Sequence, residues 1–191
     1  MHPTIYQEFE HIFAERKVSG SVLEIGAVPS NASLLRMNAL KGAKEKIGIN
    51  LDGPYEYEDM KILKGNANCL DCFETGSFDA VISNATLEHD KFFWKTIEEI
   101  KRVSKSGAVI AIGVPGYLYL PGEVAYTDKI SNIALDKVEN ATITFRVHDA
   151  PGDYYRFSPQ TMRDVFFKGM NDVEIKAVML PPRLIGVAIK P

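Results

Sequence analysis

The chain is expected to fold as an α/β domain, a doubly wound, mostly parallel sheet closed by a C-terminal antiparallel hairpin. Short apolar runs at residues 22–25, 46–50, 61–64, 78–83 and 108–114 alternate with helical or irregular connections. Strands alternating with helices at this spacing bury both faces of a parallel sheet. The last two runs, 172–179 and 184–189, are joined only through Pro181-Pro182. That link is too short for a parallel crossover, so they are antiparallel neighbours.

The helices follow from a different period. Ile5, Phe9, Ile12 and Phe13 recur at helical spacing within residues 3–17, and residues 33–40 suggest a second helix. Phe93, Ile97, Ile100 and Val103 lay an apolar stripe along a third, with Trp94 expected on its core face. Ser158-Pro159 is a helix start, Met162, Val165 and Phe166 face one way, and Gly169 ends the turn. Between residues 117 and 153 periodicity fades. This stretch reads as an insertion within a single domain spanning residues 1–191, placed after a strand's carboxyl end where it can cover a ligand.

Composition narrows the partners. With 191 residues, 46% hydrophobic and 25% charged, the chain is long enough to bury a core without staples. A formal net charge of -3 and no dense Lys/Arg run disfavour nucleic acid. Residues 1–17 lack the basic start and apolar run of a secretory signal, and no segment approaches the roughly 20 apolar residues of a membrane span, so a cytoplasmic location is expected. Cys69 and Cys72 form a lone Cys-x-x-Cys, with no second pair to complete a structural zinc site, and His2, His11, His89 and His148 are scattered. No metal is expected.

Polar residues close four successive strands: Glu24 and Gly26 after the first, Asn50 and Asp52 after the second, Asn66 and Ala67 after the third, and Asn84 after the fourth. Ligands of doubly wound sheets bind outside these carboxyl ends. The pattern implies a crevice for a polar, nucleoside-sized molecule. A nicotinamide dinucleotide would need Gly-x-Gly-x-x-Gly to seat its pyrophosphate, and Gly26-Ala27-Val28-Pro29-Ser30-Asn31 lacks both later glycines.

Val22-Leu23-Glu24-Ile25-Gly26, Gly65-Asn66-Ala67, Phe78-Asp79-Ala80-Val81-Ile82-Ser83-Asn84, Leu87-Glu88-His89 and the stretch from Ile97 to Gly107 resemble class I S-adenosylmethionine-dependent methyltransferases, close to the type 11 group. The resemblance implies a Rossmann-like, seven-stranded sheet and methyl transfer from S-adenosylmethionine to a small-molecule acceptor. It further implies that Gly26 and Ala27 pass the methionine part of the cofactor over bare backbone, with Glu24 either near its ammonium or orienting the turn. Asn50, Leu51 and Asp52 would meet the ribose, Asn66 the adenine amino group, and Ala67 and Asn68 the flanks of the ring. Asn84 would meet the cofactor's amino group, with Leu87 near the sulfonium.

Two positions depart from the pattern. Asn50 stands where a carboxylate usually takes both ribose hydroxyls, which removes a charge-assisted bond. Val28 stands at the final glycine of the family's Glu-x-Gly-x-Gly turn. A β-branched residue is tolerated there only if the backbone is not left-handed. Either the loop bends differently and still binds, or the chain is a cofactor-binding subunit or scaffold without activity.

Methyl transfer chiefly needs alignment and exclusion of water, and a base only when the acceptor must lose a proton. Candidate bases are His89 and His148, the latter beside Asp149. Tyr154, Tyr155 and Arg156 either line an acceptor pocket or form a packed aromatic brace with Arg156 tied to Asp153 or Glu123.

Overall fold

The structure, a computed structural model, describes residues 1–125, 137–144 and 152–191. The first element, α1 (Pro3–Arg16), is capped by His2, whose Nδ1 accepts the Thr4 N–H, and stopped by Lys17 in the left-handed region at φ 50. Its buried face is Ile5, Phe9, Ile12 and Phe13. Strands β1 (Ser21–Ile25), β2 (Glu45–Asn50), β3 (Tyr55–Tyr57), β4 (Met60–Lys64) and β5 (Phe78–Asn84) follow, then α2 (Phe93–Val103), β6 (Ser104–Pro115), β7 (Tyr117–Ala125) and β8 (Lys137–Thr144). The short helix α3 (Pro159–Thr161) runs into a π-helical turn at Met162–Phe166, and the chain closes with β9 (Asn171–Ala177) and β10 (Arg183–Ile189).

Among the described residues the main sheet has eight strands in the order β3-β4-β2-β1-β5-β6-β10-β9. The central pairs β4-β2, β2-β1, β1-β5 and β5-β6 are parallel, whereas β10 is antiparallel to both β6 and β9. This is the doubly wound sheet with a closing hairpin that the sequence implied. The eighth strand is β3, a three-residue edge piece folded back on β4. It lies in the Tyr/Glu-rich stretch, where exposed polar residues conceal any strand pattern. Of the 117–153 stretch, β7 and β8 pair antiparallel as a separate two-stranded sheet.

Alternation across the strands sorts the core into two layers. Leu23, Ile25, Val81, Ile110 and Ile112 face α2 and the α3 turn, while Val22, Ala80, Ile82, Val109 and Ala111 face α1. Each fully buried Leu, Ile or Phe stabilises this arrangement by about 1.5–3 kcal/mol.

Three local expectations are corrected. Residues 33–40 form two 3-10 turns, Leu34–Arg36 and Asn38–Leu40, separated at Met37 with ψ 139, rather than one helix. Trp94 is exposed, because the α2 stripe runs through Phe93, Thr96, Ile97 and Ile100 and leaves position 94 off the core face. It packs edge-on against Phe92 and Phe93 instead. Val165 is exposed while Met162 and Phe166 are buried, since the π turn widens the spacing between inward positions.

Candidate functional site

A cavity of about 430 Å³ opens at the carboxyl ends of the parallel strands, within the range of about 300–1,000 Å³ usual for small-molecule sites. The end of β1 contributes Ile25, Gly26 and Val28, and the end of β2 contributes Ile49, Asn50 and Leu51. After β4 come Gly65, Asn66, Ala67 and Asn68, and the segment after β5 supplies Ala85, Thr86, His89, Asp90 and Lys91.

Gly26 is the cavity position that tolerates no side chain. Its φ is +78, and a Cβ there would lie 2.1 Å from Thr86 Oγ1. The Thr86 hydroxyl donates to the carbonyls of Ile25 and Asn84, clamping β1 to β5 beneath the turn. The N–H groups of Gly26 and Ala27 both donate to the Ile49 carbonyl, at 2.8 and 3.2 Å. The turn therefore offers shape rather than free donors, and the Ala27 side chain is buried away from the cavity. Val28 is not among the positive-φ residues and is 44% exposed on the cavity wall. The loop has taken the non-left-handed course that a β-branched residue requires.

Glu24 does not line this cavity. It is 4% exposed and points into the α1 layer, where Ser33 Oγ donates to its Oε2 at 2.5 Å, Leu34 N–H to Oε1 at 3.2 Å and Leu35 N–H to Oε2 at 3.3 Å. The carboxyl group caps the first 3-10 turn from below and fixes the loop that returns from Gly26. Burial pushes its pKa up, against the lowering effect of these three hydrogen bonds.

Asn50 works in a similar way. Its Nδ2 donates to the Ala27 carbonyl at 2.8 Å and its Oδ1 accepts the Asp52 N–H at 3.2 Å. The amide ties the end of β2 to the β1 turn, a bond that a carboxylate could not donate. Leu51 and Asp52 are exposed, and only Leu51 lines the cavity.

On the far wall Asn66 Oδ1 accepts the Asn68 N–H at 2.9 Å. Asn68 Nδ2 donates to Asp90 Oδ2 at 2.6 Å and to Thr96 Oγ1 at 2.8 Å, and that hydroxyl donates to the same carboxylate oxygen at 2.7 Å. The loop beyond is bolted to α2: Leu70 N–H donates to Glu99 Oε2 at 2.6 Å, and Arg102 donates to the carbonyls of Leu70 and Phe73, each at 2.9 Å. Cys69 and Cys72 are exposed on this loop, and hydrogen bonding to the Asp71 carboxylate pushes the Cys69 thiol pKa up. Among the described residues no group of three His, Cys, Asp or Glu side chains is arranged to hold a metal ion, and no helix is long and apolar enough to cross a membrane.

A second cavity, about 440 Å³, lies on the α1 side of the same strand ends. Met1, His2 and Ile5 form one wall, Met179, Pro181 and Arg183 another, and Asn84 with Ala85 the floor. Ala85 lines both cavities and sits at φ 54. Asn84 belongs to this second cavity and not to the first. Its Oδ1 crosses the space above Gly113, where a Cβ would come within 2.4 Å of it. Leu87 is buried in the core.

His89 lines the first cavity, with its Nε2 4.0 Å from the fully buried carboxyl of Glu88. Glu88 also lies 3.7 Å from Arg183 Nη1. The Glu88 carbonyl accepts the N–H groups of Tyr154 and Tyr155, so the segment before α3 is docked here. Tyr155 packs edge-on against Phe93 and donates its hydroxyl to the Lys91 carbonyl at 2.9 Å, while Arg156 grips both oxygens of Asp153 at 2.5 and 2.7 Å. Tyr154 is exposed beneath Lys91. Tyr155 and Arg156 thus form a brace, and neither borders the two cavities described. His148, Asp149 and the side chain of Glu123 lie outside the described residues.

Residues 28–112 match the family model of the methyltransferase domain. Over that segment, under half of the chain, the sequence has the pattern of a methyltransferase domain. No curated protein sequence matches the chain. The chain resembles one chain of the complex between the Haloferax volcanii Trm112 methyltransferase activator and a candidate methyltransferase, with TM-score 0.64 and 16% identity over 98% of this chain and 91% of that one. It also resembles Burkholderia thailandensis 1,6-didemethyltoxoflavin-N1-methyltransferase with bound 1,6-didemethyltoxoflavin and S-adenosylhomocysteine, with TM-score 0.60 and 16% identity over 97% and 77% of the two chains. A third likeness is to Haemonchus contortus phosphoethanolamine N-methyltransferase 2 in complex with phosphomonomethylethanolamine and S-adenosylhomocysteine, with TM-score 0.65 and 15% identity over 99% of this chain and 53% of that one. At these identities the likeness is one of fold.

Strand-end reasoning over the sequence missed Ala85, Thr86, Asp90, Lys91 and Thr96 on the first cavity. A signal was present for three of them, Thr86, Asp90 and Lys91, because polar positions continue past Asn84 through the seven residues that follow β5. The walls of the second cavity carried no such signal, being drawn from opposite ends of the chain.

Proposed function

We propose that the protein is a class I S-adenosylmethionine-dependent methyltransferase that binds S-adenosylmethionine in the first cavity and passes its methyl group to a small molecule held beside Ala85. The observation that carries this is the cavity itself, which gathers the ends of β1, β2 and β4 and the segment after β5 around the Gly26 turn at φ +78. When bound, the cofactor supplies a methyl group on a sulfonium whose leaving group is already activated. Gly26 and Val28 border its methionine part, Asn50 and Leu51 its ribose, and Asn66, Ala67 and Asn68 its adenine. The Asn68-Asp90-Thr96 network holds the adenine wall rigid, and Glu24 acts on the cofactor only through the loop it fixes. His89 and Lys91 stand at the mouth, where they can order the acceptor and exclude water. A small-molecule acceptor is supported by the second cavity's size and by the small molecules named for the Burkholderia and Haemonchus proteins.

Thermal unfolding tests this directly. At about 100 times its dissociation constant, S-adenosylhomocysteine should stabilise the protein by roughly 2.7 kcal/mol, on the order of 5–10 °C for a chain of this size. NAD should give no shift. Equal shifts with both ligands, or none with millimolar S-adenosylhomocysteine, would sink the assignment.

A further inference from the structure

We propose that the patch formed by Lys91, Phe92, Trp94, Lys95 and Tyr154 docks the chain on a lipid bilayer whose surface carries anionic headgroups. Docking through this patch is independent of what the first cavity binds.

The run Lys91-Phe92-Phe93-Trp94-Lys95 leads into α2. Of its rings only Phe93 packs toward the core, edge-on to Tyr155 and Phe157 with centroids 5.1 Å away and tilted on Phe166 at 5.8 Å. Successive helical positions point about 100° apart, so its neighbours cannot share that face. Phe92 and Trp94 are 48% and 44% exposed, with ring centroids 5.7 Å apart. The ammonium of Lys95 lies 5.2 Å from the Phe92 ring centroid, and that of Lys91 lies 5.3 Å from the ring of Tyr154, itself exposed. The Tyr155 hydroxyl, donating to the Lys91 carbonyl at 2.9 Å, fixes the two segments together. Single exposed apolar residues are ordinary, but rings gathered into one patch mark a contact surface.

Two features select a bilayer over a protein partner. The cores of protein interfaces are depleted of lysine, whereas Trp and Tyr rings flanked by lysines suit the plane where hydrocarbon gives way to headgroups. In that plane an ammonium meets lipid phosphate while its stem stays on apolar surface. The second feature is local charge. A formal net charge of -3 gives no general attraction to an anionic surface, so Lys91 and Lys95 must orient the chain. Asp90 beside them is turned to other partners, its oxygens accepting from the Asn68 amide, the Thr96 hydroxyl and the Phe92 N–H. Exposed Glu98, one turn beyond Trp94, sets the limit of the patch along α2.

Lys91 also lines the first cavity, and exposed Val28 and Leu51 continue the apolar rim from the β1 and β2 side. A bilayer seated on the patch therefore lies beside the cavity mouth. Contact is peripheral, with the rings entering only the headgroup boundary.

Trp94 is the only tryptophan of the chain, so its emission reports the contact. Vesicles of equal parts phosphatidylglycerol and phosphatidylcholine should shift that emission to the blue, and brominated acyl chains should quench it. Pure phosphatidylcholine vesicles should bind about tenfold more weakly, as should Lys95→Glu on the mixed vesicles. Phe92→Ser, read by emission, and Trp94→Ser, read by co-sedimentation, should each lose binding about tenfold. Val165→Ser removes an exposed apolar side chain outside the patch and should bind like the wild type. Thermal unfolding midpoints at the wild-type value show that the variants fold. No blue shift at millimolar lipid, equal binding to pure phosphatidylcholine, undiminished binding in any of the three patch variants, or an equal loss in Val165→Ser would overturn the proposal. A blue shift that grows with protein concentration in the absence of lipid would overturn it too, assigning the patch to a second copy of the chain.

Discussion

The two cavities that flank Ala85 are nearly equal in volume, about 430 and 440 Å³, yet their walls are built on opposite plans. Around the first, polar side chains are spent on one another and on the backbone: Asn50 on Ala27 and Asp52, Asn66 on Asn68, and Asn68 on Asp90 and Thr96. Around the second, the lining is mostly apolar and the Asn84 amide stands open. A rigid, prepaid polar frame suits a ligand of fixed chemistry, because little ordering remains to be done on binding. An apolar chamber with few polar anchors suits an acceptor chosen by shape.

The largest test of that contrast is Gly26→Val. At φ +78, with Thr86 Oγ1 2.1 Å from the site of a Cβ, the variant should be destabilised by about 2 kcal/mol or more and should lose S-adenosylhomocysteine binding at least a hundredfold. Denaturant titration and calorimetry read the two effects separately. Undiminished affinity would mean that the first cavity is not the donor site.

Glu24 comes next. Removing its side chain in Glu24→Ala strands the Leu34 N–H and the Ser33 hydroxyl, leaving Leu35 N–H on Ser33 Oγ, and should cost about 1–3 kcal/mol. Because burial raises the folded-state pKa of Glu24, its protonated form is the one folding favours. Its contribution is fully present below the ordinary glutamate value and is lost as pH rises through the elevated one. Glu24→Gln should therefore flatten this part of the stability profile, and an unchanged profile would show that Glu24 titrates normally.

The smallest effect separates resemblance from geometry. Asn50→Asp restores the carboxylate usual in the family but removes the donor to the Ala27 carbonyl and sets two oxygens against each other. We expect about 1 kcal/mol of lost stability and S-adenosylhomocysteine affinity that falls severalfold. Tighter binding in Asn50→Asp would show that the ribose contact outweighs the loop tie.

The strands were legible because their apolar runs and period of two reflect burial directly, and the closing hairpin because Pro181-Pro182 leaves no room for another topology. Gly26 was legible as a turn, because a strand-to-loop turn at positive φ favours glycine. The helix expected over residues 33–40 was not, since its N–H groups are claimed by Glu24, a partner that local propensity does not register. Asn50 and Glu24 were placed at the right strand ends, but sequence could not say whether their polar atoms face a ligand or the backbone. The second cavity was invisible, because Ile5 and Met179 become neighbours only when α1 packs beside the β9-β10 connection.

Hydrogen exchange with and without saturating S-adenosylhomocysteine tests the division of labour most directly. Protection should rise in peptides covering residues 26–28, 49–51, 65–68 and 85–91, and should leave residues 1–5 and 179–183 unchanged. Protection concentrated at those two terminal segments, with the strand-end loops unaffected, would contradict it.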